Sequence, residues 1–487
     1  MEEPTSVAPA PIAHIRLIFA IVIAAYFLDV IDASIVTVAL PSIQKAFAVS
    51  TADLQWVYGA YAITIAGFLM LMGRAGDVFG QKKIFLAGLV IFVVSSFVGG
   101  LAPSLLTLVV FRAIQGIGAA MTTVTAFAIF IGIFPEGNQR NRAFGVLIAV
   151  LSGGFGAGSV AGGFLTQYFG WRSVMFVNVP IGIVAILLTR KFLPAVIGWS
   201  RTKHLDIPGA LTVTAGTILF AYALTNAALV GFEALQTIVS LVVSAAVLMG
   251  FVAIESRSKA PLMPLSFVRR GSVLTANALA LVLTSIVGGI SFILTIYLQS
   301  ILGYSPQDAG LGVLPSALIF FFVGGWGASR LIGRIGIKRT LMVSTLLVAG
   351  GVALLTPISV HGSYLGILPG MVVWAIGASI AFPSVNLAAV AGTQHGEEGL
   401  ASGVINTSFR IGFPLGLAVL LSVAGAFDPP PAIGGTGPAA LAGVVAGFQV
   451  ALMAAVFLGL LSFALAMRLK DVKPPNNGQG SGSPAVG

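Results

Sequence analysis

Apolar residues in this chain fall in long unbroken runs, each closed by a short polar or basic segment. The runs lie at roughly 15–40, 54–73, 84–102, 105–134, 143–170, 174–193, 207–229, 235–254, 273–298, 309–329, 340–358, 366–391, 401–426 and 440–467. A helix needs about 20 apolar residues to cross the hydrocarbon core, whereas a barrel strand needs only about 9–11. The pattern therefore predicts an all-α polytopic membrane protein with fourteen transmembrane helices.

Composition sharpens this picture. Of 487 residues, 57% are hydrophobic and 8% are charged, against roughly 25% charged in a soluble domain. So few charges cannot clothe a water-facing surface, and the lipid bilayer must be the main solvent. Glycine is abundant, with 60 residues, as suits helices that approach closely in lipid. The net charge of +10 is scattered over short loops and forms no stripe, so nucleic acid is not an expected partner. The absence of cysteine excludes disulfides, thiolate metal sites and cysteine nucleophiles. The polar N-terminal segment with Glu2 and Glu3 does not read as a cleavable signal, and the first run reads as a retained span.

Charge placement orients the spans. With both termini cytoplasmic and the spans alternating, every basic residue except Lys45, Arg172, Arg112 and Arg410 falls on the cytoplasmic side. Cytoplasmic loops carry such an excess of Lys and Arg. A missed or extra span in the middle would reverse every later loop, so the asymmetry supports the count of fourteen.

The chain also repeats itself. Setting Gly80 on Gly336 lays span 9 on span 1 and span 12 on span 4, and a nearby register pairs Gly154 and Gly158 with Gly412 and Gly416. The expected organisation is an N-terminal six-helix bundle (1–193), two inserted transmembrane helices (194–256), a C-terminal six-helix bundle (257–470) and a disordered tail (471–487). Duplicated bundles with a site at their interface are common among secondary transporters.

Chemistry-bearing residues inside the spans are few. Asp29 and Asp32 stand three apart in span 1 and so share a helix face. Ionisable residues at such depth usually mark ion or substrate pathways, and a carboxyl shifted towards neutrality by burial can take a proton on one side and release it on the other. Arg112 in span 4 lies at matching depth, within reach of Asp32 if the two helices are neighbours. The segment Gly73–Lys83, G-R-A-G-D-V-F-G-Q-K-K, reads as a tight gating loop whose one acid, Asp77, caps a facing helix N-terminus; Gly80, Lys82 and Lys83 belong to it. In span 5, Gly154, Gly158 and Gly162, with Gly163, make a smooth face for close packing. Arg410 sits near mid-membrane in span 13 with Asn406 on the same face, and both are candidates for the cavity surface. The histidines His14, His204, His361 and His395 fall in loops or at span edges. There is no Gly-Lys dipeptide and hence no phosphate-binding loop, and two common hydrolase signatures are missing. An enzyme is not expected.

These motifs resemble the major facilitator superfamily, and within it the fourteen-span drug:proton antiporters. L-D-V-I-D-A-S-I-V-T-V-A-L-P is similar to that family's first-helix motif, with Asp32 as its acid and Asp29 an addition. Gly73, Asp77, Gly80 and Lys82 match the cytoplasmic signature, which departs at Val78 and Gln81. Arg112, Gln115 and Gly116 match the fourth-helix motif, and Gly154–Gly163 resembles the antiporter motif, with Ser159 where proline is usual. Trp171–Gly182 and S-F-R-I-G around Arg410 continue the likeness. The resemblance implies a central cavity between spans 1, 4, 9 and 12, with Tyr58, Tyr61, Gln115, Phe382 and Asn386 as lining candidates. It implies a monomeric proton-coupled antiporter in the bacterial inner membrane. Its cargo would be small lipophilic compounds and its driving force the proton gradient, with no cofactor; because only Asp29 and Asp32 among the acids lie deep in the spans, neutral or monocationic compounds are expected. The alternative is a dedicated exporter of one endogenous product, such as an antibiotic or a lipid.

Overall fold

A computed structural model describes residues 14–134, 138–194, 207–231, 233–258, 267, 270–390, 398–427 and 438–469. The polar N-terminal segment and the tail lie outside the described residues. So do Arg201, Lys203, His204, Lys259, Arg269, His395, Lys470 and Lys473.

All regular structure among the described residues is helical. The helices are α1 (Ile15–Phe47), α2 (Thr51–Phe79), α3 (Gln81–Gly100), α4 (Leu105–Ile133), α5 (Asn138–Phe169), α6 (Ser173–Phe176), α7 (Asn178–Phe192), α8 (Ile207–Val230) and α9 (Leu235–Arg257). They continue as α10 (Gly271–Ile296), α11 (Pro306–Gly312), α12 (Leu314–Phe322), α13 (Ala328–Ile335), α14 (Ile337–Leu355), α15 (Tyr364–Val390), α16 (Glu398–Phe427) and α17 (Pro438–Arg468). Their starts carry ordinary signals. Ser50, Ser104 and Ser305 each accept a hydrogen bond from the backbone N–H three residues on, which satisfies an orphan donor of the first turn.

Eleven helices among the described residues are long and apolar enough to cross a membrane. The runs expected as spans 5, 7 and 10 are helical but fall outside that eleven. In the third of these, residues 306–335, the helix is broken. Pro315 near the start of α12 cannot donate a backbone hydrogen bond. A π-turn at Val323–Gly327, rich in glycine, then separates α12 from α13. Hydropathy registers the apolar run but not the break.

Packing follows two parallel schemes. In the N-terminal set, α1 lies on α5 and α4, α2 on α4, and α3 on α4 and α7. In the C-terminal set, α10 lies on α16 and α15, α12 on α15, and α14 on α15 and α17. Between the sets, α2 meets α16, α5 meets α11 and α12, and α1 meets α10 and α11. Helices α8 and α9 pair with each other, and α8 also rests on α2 and α16.

One expectation changes here. The segment Gly73–Lys83 is not a loop: α2 runs to Phe79 and α3 begins at Gln81, joined only by Gly80. Gly80 has φ 96°, and Gly336 between α13 and α14 has φ 82°. Left-handed backbone of this kind favours a residue without Cβ. The same reversal is thus used at both positions that the sequence repeat aligned.

Candidate functional site

The site is built around one face of α1. Asp29 and Asp32 are both buried, and every stabilising partner comes from another helix.

Asp32 is held by three side chains. Arg112 of α4 donates to Asp32 Oδ2 at 2.5 Å. Gln115 Nε2, one turn further along α4, donates to Oδ1 at 3.0 Å, and Asn178 Nδ2 of α7 donates to the same oxygen at 2.6 Å. Arg112 also donates to the Val57 carbonyl at 3.1 Å and to Gln115 Oε1 at 2.8 Å, and its guanidinium lies 4.2 Å from the Tyr61 ring centroid. Ser96 of α3 ties the edge of this network: it accepts from Asn178 at 3.1 Å and donates to the Met175 carbonyl at 2.8 Å. A charge at mid-bilayer costs about 2.5–3.5 kcal/mol on insertion scales. The ion pair and two further donors offset that cost here.

Asp29 has a different counter-charge. Arg410 of α16 approaches Asp29 Oδ2 at 2.5 Å, with the arginine side chain one quarter exposed and the aspartate 3% exposed. The Tyr61 hydroxyl donates to Asp29 Oδ1, and Thr123 of α4 donates to Oδ2 at 3.4 Å. Arg410 also reaches Thr123 Oγ1 at 3.5 Å. Two ion pairs therefore sit one helix turn apart on α1, one closed by α4 and the other by α16.

Beside them lies a cavity of about 350 Å³. Tyr26 and Val30 of α1, Phe127 of α4 and Leu147 of α5 form one wall; α10, α12, α15 and α16 form the other. Phe320, Trp374, Phe382, Phe409 and Phe413 make much of the surface, relieved by Asn386, Asn406 and a few hydroxyls. Phe382 packs on Phe409 at 5.3 Å and near Phe320 at 6.3 Å between ring centroids. Among the described residues, the lining contains no carboxylate and no arginine or lysine.

Of the expected lining residues, Phe382, Asn386 and Asn406 are in this wall. Tyr58, Tyr61 and Gln115 are not. Tyr58 is buried against Phe413 with 5.0 Å between ring centroids, Tyr61 serves Asp29, and Gln115 serves Asp32. Arg410, expected at the cavity surface, is drawn off by Asp29 while its neighbours Asn406, Phe409 and Phe413 remain in the wall. The carboxylates decide this, because a guanidinium in a low-dielectric interior seeks the nearest anion.

The remaining candidates are structural in placement. Gly154, Gly158 and Gly162 seat α5 on α1, where a Cβ on Gly162 would come within 2.9 Å of Ile35 Cα. Gly163 faces α11, where a Cβ would stand 2.6 Å from the Pro306 carbonyl oxygen. Gly73 lies against Val124 of α4. Among the described residues, Asp77 caps no facing helix. It accepts from Gln81 Nε2 at 3.0 Å and stands 3.7 Å from Arg74, so it ties α2 to α3 across Gly80. Lys82 donates to the Leu193 carbonyl and, at 3.3 Å, to that of Arg190, covering the C-terminal end of α7. Lys83 is exposed.

Sequence reasoning passed over Asn178, Ser96, Thr123 and Tyr26. Asn178 had a legible signal, an amide inside an apolar run. The other three are residue types common in membrane helices, and only the fold distinguishes them.

The model of the Major Facilitator Superfamily matches residues 22–417. The chain belongs to that superfamily. Within it, the chain is 36% identical over 462 residues to the puromycin resistance protein pur8 of Streptomyces alboniger, covering 93% of this chain and 90% of that one. It is 36% identical to the cephamycin export protein CmcT of Amycolatopsis lactamdurans, covering 82% and 83% of the two chains. It is 33% identical to the multidrug resistance protein Stp of Mycobacterium tuberculosis, covering 82% and 74%. Among solved structures, the human organic anion transporter MFSD10 superposes with a TM-score of 0.65 at 15% identity, over 93% of this chain and 99% of that one. The nucleoside transporter NupG does so with a TM-score of 0.62 at 13% identity, over 93% and 100%. These two share the superfamily's fold.

Proposed function

We propose that this chain is a proton-coupled antiporter that exports small lipophilic compounds, neutral or singly cationic, from a bacterial cell. It acts as a monomer in the inner membrane with both termini cytoplasmic, and needs no cofactor and catalyses no covalent chemistry. Residues 1–193 and 257–470 are the two moving halves, and α8 and α9 are an inserted pair. Fourteen spans result when α5, α8 and the broken segment 306–335 are added to the eleven uninterrupted apolar helices. The matching contact schemes of α1–α7 and α10–α17 support this division.

One observation carries the reading: an aromatic-walled cavity, with no carboxylate among the described lining residues, lies against α1 beside two buried carboxylates with arginine partners. The apolar wall suits a lipophilic guest. The buried acids supply groups that a proton can neutralise, and one charge moved across the membrane is worth about 2.3 kcal/mol per 100 mV. Asp32 and Asp29 are the proton acceptors, with Arg112 and Arg410 as their counter-charges. The turn at Gly80, with Asp77 and Lys82, fixes α2, α3 and α7 as one body. The resistance and export proteins among the relatives support export over uptake.

The test uses purified protein in vesicles loaded with a neutral lipophilic dye. An imposed proton gradient should accelerate dye movement several-fold, and a protonophore should abolish the gain. Equal rates with and without the gradient would refute the antiporter reading. A second reading, export of one dedicated product, is favoured by the relative named for cephamycin export. A dye panel separates the two, since a dedicated exporter would move few or none of the dyes.

A further inference from the structure

The two carboxylates of α1 differ in where their partners come from. The partners of Asp32 are Arg112 and Gln115 of α4 and Asn178 of α7, so the whole cluster moves with its own half. Asp29 is bound by Tyr61 and Thr123 of that half, but its counter-charge, Arg410, belongs to the other.

A second polar tie joins α1 to the C-terminal helices. Gln299 Nε2 donates to the Val38 carbonyl at 2.9 Å, more than two helix turns further along α1. That bond is neutral and indifferent to protons. The bond at Asp29 exists in full only while the carboxyl is ionised. The groups facing Asp29 are Tyr26 and Asp32 on its own helix, Tyr58 and Tyr61 from α2, Arg112 and Thr123 from α4, and Arg410 from α16. Tyrosines and arginines keep one charge state at working pH.

Position gives the bond its leverage. Tyr26 and Val30 flank Asp29 and line the cavity; Asn406, Phe409 and Phe413 flank Arg410 and line it too. The pair therefore closes the seam between the halves at the cavity's edge. A proton on Asp29 would leave the half-buried guanidinium without a counter-charge, which is costly. The nearest remedy is water, and the nearest room for water is the cavity. Protonation thus favours a state in which α1 and α16 part and the seam hydrates.

We propose that Asp29 and Arg410 form a proton-operated clasp between the halves, while Asp32 and Arg112, whose pair lies within one half, do not bridge the seam. This rests on the antiporter reading but is tested without transport. The chain lacks cysteine, so a spin-label pair can be placed cleanly through Lys45→Cys on α1 and Leu365→Cys on α15, both exposed. Distances between the labels would be measured in lipid nanodiscs from alkaline to mildly acid pH. The parent pair should shift from one distance distribution to another as pH falls. Asp29→Asn should show the acid distribution at every pH. The double variant Asp29→Asn/Arg410→Gln, which leaves no unpaired charge, should likewise lose the pH response, while Asp32→Asn/Arg112→Gln should keep it. A pH response that persists in either variant lacking Asp29, or that vanishes in the variant lacking Asp32, overturns the clasp. Failure of gradient-driven efflux with this pattern intact would instead count against the antiporter reading alone.

Discussion

At the residue scale, the four deep charges are organised as two pairs of unequal kind. Arg112 is fully enclosed by Asp32, Gln115, Val57 and Tyr61. Removing one member of such a buried pair typically costs about 3–5 kcal/mol, because the other charge is stranded. Asp32→Asn should therefore lower thermal stability markedly in detergent, and Asp32→Asn/Arg112→Gln should recover part of that loss. Neither variant should show gradient-driven efflux, since one of the two carboxyls proposed to accept protons is gone. Undiminished coupled efflux in the stable double variant would remove Asp32 from the coupling path. The sequence located both acids and both arginines, because a charge within an apolar run stands out. It did not reveal that Arg410 would turn to Asp29, a partner 381 positions away on another helix.

At the element scale, small residues set how closely helices pack. α5 carries glycines on two faces: Gly158 and Gly162 touch the α1 backbone, and Gly163 touches α11 of the C-terminal set. With little hydrophobic drive between helices in lipid, such close packing supplies much of the association. Gly162→Ala would push a methyl against Ile35, and overpacking usually costs about 1–3 kcal/mol. We expect a lower melting temperature for Gly162→Ala in detergent. An unchanged melting temperature would mean that α1 and α5 separate freely at this point. The glycine spacing was legible in the sequence. Which neighbour each face would meet was not, because spacing defines a stripe but names no partner.

At the scale of the whole molecule, the deep charges balance. Asp29 and Asp32 are matched by Arg410 and Arg112, and among the described residues the cavity wall adds no acid. In no protonation state do these four groups present a net negative charge. A cation entering the cavity gains little, and a rigid dication with widely spaced charges would leave one centre without any carboxylate. At equal lipophilicity, a neutral or monocationic dye should be exported several-fold faster than a long bis-cation. Faster proton-coupled export of the bis-cation would overturn this charge argument, and would direct attention to Asp308 at the exposed start of α11.

The one-dimensional pattern determined that this chain lives in lipid, that its apolar runs form helices, and where its costly charges lie. Each follows from local physics, since lipid leaves a backbone no other partner than its own helix and a buried charge must be functional or paired. The pattern also aligned Gly80 with Gly336, and the backbone reverses in the same way at both. Only the tertiary structure decided that the apolar run at 306–335 is broken, that Gly73–Lys83 is helix rather than loop, and that Tyr61 and Gln115 serve the aspartates instead of the cavity. A tyrosine or glutamine on a helix faces whichever neighbour the packing brings, and packing is settled between helices far apart in the chain.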